Sequence, residues 1–176
     1  GSEMCIRDRV CYAGGVVGYN YTEGTVQSCY AAGRVESEKH AGGAVGGNYG
    51  TVQNCVALGQ SVSAQGHAHR VVGENSGRKL SGNYAWSGMK VNGNTVADDD
   101  VEGSNGGDLT YDDTNGLSRQ FETIFGGNSA WTYAENGLPT LKNVGGTQSS
   151  ELPSWMLGSE TTIYITTCRL YTSPSP

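Results

Sequence analysis

Ala13-Gly14-Gly15-Val16-Val17-Gly18-Tyr19-Asn20 returns as Ala41-Gly42-Gly43-Ala44-Val45-Gly46-Gly47-Asn48, an offset of 28 residues. A decayed third copy, Ala68-His69-Arg70-Val71-Val72-Gly73-Glu74-Asn75, follows at an offset of 27. Each copy leads into a second recurring half. Gly24-Thr25-Val26-Gln27-Ser28-Cys29-Tyr30-Ala31 matches Gly50-Thr51-Val52-Gln53-Asn54-Cys55-Val56-Ala57. In the third copy this half becomes Gly77-Arg78-Lys79-Leu80-Ser81-Gly82-Asn83-Tyr84-Ala85, one residue longer. Self-similarity at a period of 20–50 residues is the signature of stacked repeat architectures.

Each half is a short apolar run bounded by glycine or asparagine, which reads as strand then turn. The runs are too short for helices and lack the i, i+3, i+4 spacing. One repeat holds too few apolar residues to bury a face alone, so copies must stack on one another. The expected fold is therefore all-β, a parallel β-solenoid of glycine-rich coils about 4.8 Å apart. Glycine permits close approach of neighbouring coils. Asn20, Asn48 and Asn75 occupy equivalent places, where either a left-handed turn or stacked side-chain amides would suit a coil corner.

Together the two half-units resemble the GLUG motif, approximately G-G-hydrophobic-hydrophobic-G-x-N followed by G-x-hydrophobic-x-N-C-Y-A. Gly14–Ala31 follows it nearly throughout, with Thr22-Glu23 as an insertion, and Gly42–Ala57 follows it closely. Val71–Ala85 follows it loosely, with Asn83 in place of the cysteine. The resemblance covers about half of the chain. It implies a repeat module of large extracellular bacterial proteins, among them adhesin-like surface proteins and some immunoglobulin-A-directed metallopeptidases. It brings no catalytic residue with it.

The two ends read differently from the middle. The opening Gly1-Ser2-Glu3-Met4-Cys5-Ile6-Arg7-Asp8-Arg9 can be encoded by GGC TCG GAG ATG TGT ATA AGA GAC AG. The complementary strand of that DNA has a frame giving the closing Cys168 to Pro176, with Arg169 as the one departure. The DNA resembles a transposase end and sequencing adapter read through as gene. Residues 1–9 and 168–176 are accordingly expected to be non-native tails and stand outside fold reasoning.

Composition narrows the class further. Glycine supplies 28 of 176 residues, about twice the usual share, yet not in G-X-Y triplets. Hydrophobic content is 36%, charged content 16%, and no apolar run is long enough to span a bilayer. The formal charge is −6, or −7 between the two tails, because Arg169 is the unbalanced charge within them. An acidic chain without a basic stripe is not expected to bind nucleic acid.

Between the tails stand Cys11, Cys29 and Cys55, an odd number with no CxxC spacing, so neither a zinc site nor a complete disulfide framework is expected. The equivalent Cys29 and Cys55 should form a reduced, stacked column inside the solenoid. In-register strands hold their Cβ atoms slightly too far apart, and too nearly parallel, for a disulfide.

After Met89 the period dissolves. Val91-Asn92-Gly93-Asn94-Thr95-Val96 reads as strand–turn–strand, since Asn-Gly favours a tight hairpin. The organisation expected is repeats over 10–96, an acidic loop and C-terminal cap over 97–144, and a linker or truncated next segment over 145–167. The last coil would leave an open edge and an apolar cross-section for that cap to cover. Trp131…Gly137-Leu138-Pro139-Thr140-Leu141-Lys142 resembles the segment that often ends GLUG arrays.

Candidate chemistry is sparse. Asp98, Asp100, Glu102 and Gly103 imitate the start of an EF-hand loop, but Leu109 stands where its bidentate glutamate belongs. Gly106-Gly107-Asp108 is a scrap of a calcium-binding nonapeptide, so a solvated acidic loop is expected. His67 and His69 share a face if extended, lack a third ligand, and read as surface turn residues. Paired carboxylates for glycoside hydrolysis would have to come from Asp98, Asp112, Asp113 and Glu122. Tyr12, Tyr19, Tyr21, Tyr30, Tyr49 and Tyr84 either form an exposed row able to stack on sugars or anchor a protein, or fill coil corners.

The function expected is a non-catalytic structural or adhesive module at the cell surface or outside the cell, with a glycan or host surface protein as partner. Neither a catalytic residue nor a metal or other cofactor is expected within it. The alternative is a non-catalytic portion of a secreted peptidase or of a polysaccharide-active β-helix enzyme.

Overall fold

The computed structural model describes residues 2–6, 10–111, 116–135 and 137–157. The repeats coil into a parallel β-solenoid whose register is the sequence offset itself. Five short strands make each turn, and each strand pairs with its equivalent one turn away. The first ladder stacks Val10–Gly14, His40–Gly42 and His67–His69, with Ala13, Ala41 and Ala68 aligned. The second stacks Val17–Asn20, Val45–Asn48 and Val72–Asn75. The third joins Thr25–Gln27, Thr51–Gln53 and Leu80–Ser81.

The fourth ladder runs through Tyr30–Ala31, Val56–Ala57, Tyr84–Trp86 and Gly107–Leu109. The fifth joins Val35–Ser37, Ser61–Ala64 and Lys90–Val91. It closes on the expected hairpin, where Asn94–Thr95 folds back antiparallel through Asn92 (φ 47°) and Gly93 (φ 82°).

The inside of this coil is narrow. Val45, Val52, Val62, Val71, Val72, Ala41, Ala57 and Ala85 are fully buried, and strands such as Thr25–Gln27 alternate buried and exposed residues. Small and β-branched residues fill so thin a core without strain. The corner between the third and fourth strands is left-handed in every turn, at Ser28 (φ 51°), Asn54 (φ 53°) and Gly82 (φ 62°). The asparagine column answers the other corner by stacking amides. Asn20 Nδ2 donates to Asn48 Oδ1 (2.8 Å), and Asn48 Nδ2 donates to Asn75 Oδ1 (2.9 Å).

Asn48 is fully buried, and its Oδ1 also accepts from the Gly50 N–H (3.1 Å). Asn48→Ala would strip partners from the Gly50 N–H and Asn75 Oδ1. At about 1–3 kcal/mol per buried orphan, urea unfolding should show a loss of about 2–4 kcal/mol. Asn75→Ala, at the half-buried end of the column, should cost less than half of that.

Cys29 and Cys55 are free thiols in equivalent places, as the column reading requires, and Asn83 continues the column. Its Oδ1 accepts from the Cys55 N–H (3.0 Å), and its Nδ2 donates to the Val52 carbonyl (3.0 Å). Cys11, by contrast, is disulfide-bonded, a bridge that the odd cysteine count did not foresee. Ser2–Ile6, within the stretch read as a non-native tail, lies antiparallel along Val10–Gly14. An unpaired strand edge accepts any extended segment, which is how this stretch comes to pair there.

The C-terminal region departs from expectation in two ways. Residues 98–109 are not simply an acidic loop but a shortened fourth turn. The Ser104 carbonyl accepts from the Val71 and Val72 N–H groups, and Gly107–Leu109 extends the fourth ladder. Second, the rest does not close the end of the stack but straps its side. The helix Leu117–Ile124, the antiparallel pair Trp131–Thr132 and Thr140–Leu141, and the 3-10 turn Ser154–Met156 pack over the outward column Tyr30, Val56 and Tyr84. That column alternates with the buried alanines and is itself apolar, so the flank needs cover more than the end does.

Tyr30 Oη donates to the Pro139 carbonyl (2.9 Å), Trp131 Nε1 to the Ser28 carbonyl (3.0 Å) and Trp155 Nε1 to the Leu58 carbonyl (2.9 Å). Residues 145–157 thus belong to the strap rather than to a linker, with Gln148 pairing through both amide atoms to the Leu141 backbone. The remainder of the expected linker, 158–167, and the tail 168–176 lie outside the described residues.

Candidate functional site

The outward positions of the first two ladders form a ring-lined face. Register aligns Tyr12, His40 and His67 in one column, and Tyr19, Gly47 and Glu74 in the next. Gly47 leaves the middle of the second column open. A Cβ there would lie 2.6 Å from the Tyr12 ring and 3.0 Å from the Tyr19 ring. Both tyrosines lean into that space and meet edge-on, with centroids 4.9 Å apart.

Tyr19 also touches Tyr21 (4.7 Å) and Tyr49 (5.3 Å), Tyr12 stacks on His40 (4.9 Å), and His40 leads to His67 (5.1 Å). Aromatic pairs at such separations contribute about 0.5–1.5 kcal/mol beyond their buried area. The Thr22-Glu23 insertion bulges the chain between Tyr21 and Gly24 and leaves Tyr21 60% exposed.

The six tyrosines therefore divide between the two expected roles. Tyr19, Tyr21 and Tyr49 form the row with the buried Tyr12 behind it, whereas Tyr30 and Tyr84 lie beneath the strap. Burial first, then Tyr49, holds the Tyr19 hydroxyl up at about 12, and burial with the Glu74 carboxylate raises Tyr12 further. Both stay protonated donors at neutral pH.

The histidine pair of the sequence is not the pair that the fold makes. His69 Nδ1 bonds the Gly73 carbonyl (2.8 Å), and its ring lies 6.4 Å from that of His67. His67 instead adjoins His40 of the turn below, and Glu74 reaches across to His40 Nε2 (3.5 Å). Sequence spacing missed His40 and Glu74 because a ladder brings together residues 27 or 34 positions apart. Register could have found His40, since the Ala41-to-Ala68 offset also carries His40 onto His67.

The acidic candidates have structural work. Asp98 Oδ1 accepts from the Asp100 N–H (3.0 Å), and Asp100 Oδ1 from the Glu102 N–H (2.9 Å), shaping the shortened turn. Asp108 pairs with Arg70, whose side chain is fully buried and also donates to the Gly106 (2.7 Å) and Asp98 (3.0 Å) carbonyls. Arg70 stands where the lower turns carry Gly15 and Gly43, and it clamps the short turn to the stack. Glu122 is exposed on the strap helix, and Asp112 and Asp113 lie outside the described residues.

The thiol column is asymmetric. Cys29 is half-buried, and a hydrogen bond from Cys55 brings its thiol down to about 7, while Cys55 is held well above the ordinary range by Cys29 and by burial. Thiolate is the reactive form. Iodoacetamide at neutral pH should therefore modify Cys29 in the native chain and spare Cys55 until denaturant is added, as peptide mapping would show.

A stacked parallel β-solenoid with one ring-lined face is thus the class of molecule in hand. The family model of the GLUG motif matches residues 10–36, one complete turn of that solenoid, and the next two turns repeat it in register. No curated protein and no solved structure matches the chain.

Proposed function

We propose that this chain is a non-catalytic structural and adhesive repeat module of a large extracellular bacterial protein. The continuous ring face carries this reading. Buried polar side chains of the repeats go into holding turn to turn, as the asparagine column does, while Tyr21 is exposed and the half-buried Tyr19 and Tyr49 flank it, backed by the buried Tyr12. Tyrosine faces stack on the flat C–H faces of sugar rings, and phenolic hydroxyls with a carboxylate alongside bond sugar hydroxyls. A glycan is therefore the partner of choice over a host surface protein. No helix among the described residues is long and apolar enough to cross a membrane, and the module is proposed to be carried by a longer polypeptide.

Retention of the chain on immobilised mucin-type and plant glycans tests the adhesive role. The expected result is binding that falls at least about tenfold in Tyr21→Ala/Tyr49→Ala, with no release of new reducing ends. Release of reducing ends would overturn the non-catalytic reading. Retention on host protein after deglycosylation would replace the glycan with a protein partner. Long-read sequencing outward from the Gly42–Cys55 region of the native locus tests the wider setting. Further repeats and an anchor would support the surface module, whereas a peptidase or hydrolase domain would favour the enzyme-associated alternative.

A further inference from the structure

We propose that His40, His67 and Glu74 form a binding site for a transition-metal dication of the Zn2+ type, pinning the second turn of the solenoid to the third. Among the described residues this is the one group of three histidine, cysteine or carboxylate side chains whose ligand atoms converge, all lying within 4.8 Å of one another. The ladder is the cause. Parallel register places His40 and His67 one strand spacing apart on the same face, and Glu74 comes from the adjoining ladder of the third turn. Gly47 lies directly below Glu74 in register, and the Tyr12 and Tyr19 rings fill the space that it leaves.

His40 is poorly satisfied by protein alone. Its Nδ1 is buried without a hydrogen-bond partner among the described residues, and its Nε2 meets Glu74 only at 3.5 Å. The Tyr12 ring of the turn below stacks on His40 (4.9 Å) and steadies its imidazole from the other side. Two imidazoles and one carboxylate suit zinc and its neighbours rather than calcium or magnesium, which favour oxygen donors throughout. Ligand atoms closing by up to about 1.4 Å reach the separations of a tetrahedral site with bonds of about 2.0–2.2 Å. His67 is exposed, so the ion has a path in from solvent and a fourth position open to it.

The test uses the full chain without an affinity tag, titrated with ZnCl2 by calorimetry in a non-chelating buffer. One ion per chain is expected, and saturation at a hundred times Kd should raise the Tm by about 5–10 °C. His67→Gln and Glu74→Gln should each weaken binding by about tenfold or more. Both side chains reach solvent, so circular dichroism of the metal-free variants should match the parent. Co2+ is the second probe, expected to give visible d–d bands of a low-coordinate nitrogen and oxygen site. Undiminished Zn2+ affinity in both variants, no uptake at all, or a thiolate-to-cobalt charge-transfer band placing the ion on Cys29 and Cys55 would each overturn the proposal.

Discussion

Gly42→Ala should abolish cooperative folding of the stack, or cost more than about 4 kcal/mol if a folded state survives. A Cβ on Gly42 would stand 2.0 Å from the Val45 carbonyl oxygen, 2.4 Å from the Gly73 nitrogen and 2.7 Å from the Val71 carbonyl oxygen. All three are backbone atoms, so no side-chain rotation relieves the clash, and two of them belong to the next turn. The ladder spacing cannot widen locally without breaking the Ala44 and Val45 N–H bonds to the Val71 carbonyl.

The third turn carries His69 in the same column, which is informative. Beyond it lies only the shortened turn, where Ser104 takes the place of a full strand, so a side chain fits. Gly33→Ala is the matched control, with open space around the Cβ and an ordinary backbone angle. It should be neutral, or stabilising by about 0.4–1 kcal/mol through the unfolded chain. Circular dichroism and urea titration of the pair decide the matter. Equal stability of the two variants would mean that the turns do not stack at this separation.

Phe121→Ala is the second large effect, expected at about 3–5 kcal/mol for truncation of a buried phenylalanine. Phe121 is fully buried at the centre of the strap, edge-on to Tyr30 (5.4 Å) and to Phe125 (5.3 Å). Its loss should act on the strap before the coils. Trp131 and Trp155, which donate their indole N–H groups to backbone carbonyls of the first and second turns, report that directly. Their fluorescence should shift to the red at a lower urea concentration than the β-sheet signal is lost, whereas in the parent the two transitions should coincide. Coincident transitions in the variant would mean that strap and coils melt as one even when the joint is weakened.

Register was the most legible property of the sequence. Ala13, Ala41 and Ala68, or Val26, Val52 and Leu80, align in the fold as they align on paper, because a parallel ladder converts offset into neighbourhood. The Asn92-Gly93 hairpin was legible for a local reason, the left-handed conformation both residues adopt.

The fifth ladder went unread, since Val35, Val62 and Val91 are single apolar residues among differing polar ones. Arg70 looked like decay of the motif, yet it is the clamp for the shortened turn, a role visible only once the missing strand above it is known. The strap was expected at the end of the stack. Its true place depends on which way Tyr30, Val56 and Tyr84 face, and two-residue strands are too short for alternation to show that. For the site, the tyrosine row was anticipated as one of two possibilities, whereas the His40–His67–Glu74 cluster needed the register of two adjoining ladders at once.

The strap also changes how the chain must reach its final state. A bare stack of turns can grow one neighbour at a time, each new turn closing a loop of fewer than 30 residues, and can fray from either end independently. Here the bond from Trp131 to Ser28 closes a loop of 103 residues, and that from Tyr30 to Pro139 one of 109. The strap, which follows the coils in the chain, is thus the segment that locks the turn of Ser28 and Tyr30. The coils are free to assemble in order as they appear, but the flank of that turn stays uncovered until the strap has been made. Folding should accordingly show a fast phase of sheet formation followed by a slower burial of tryptophan, the entropy of the long loops setting the delay.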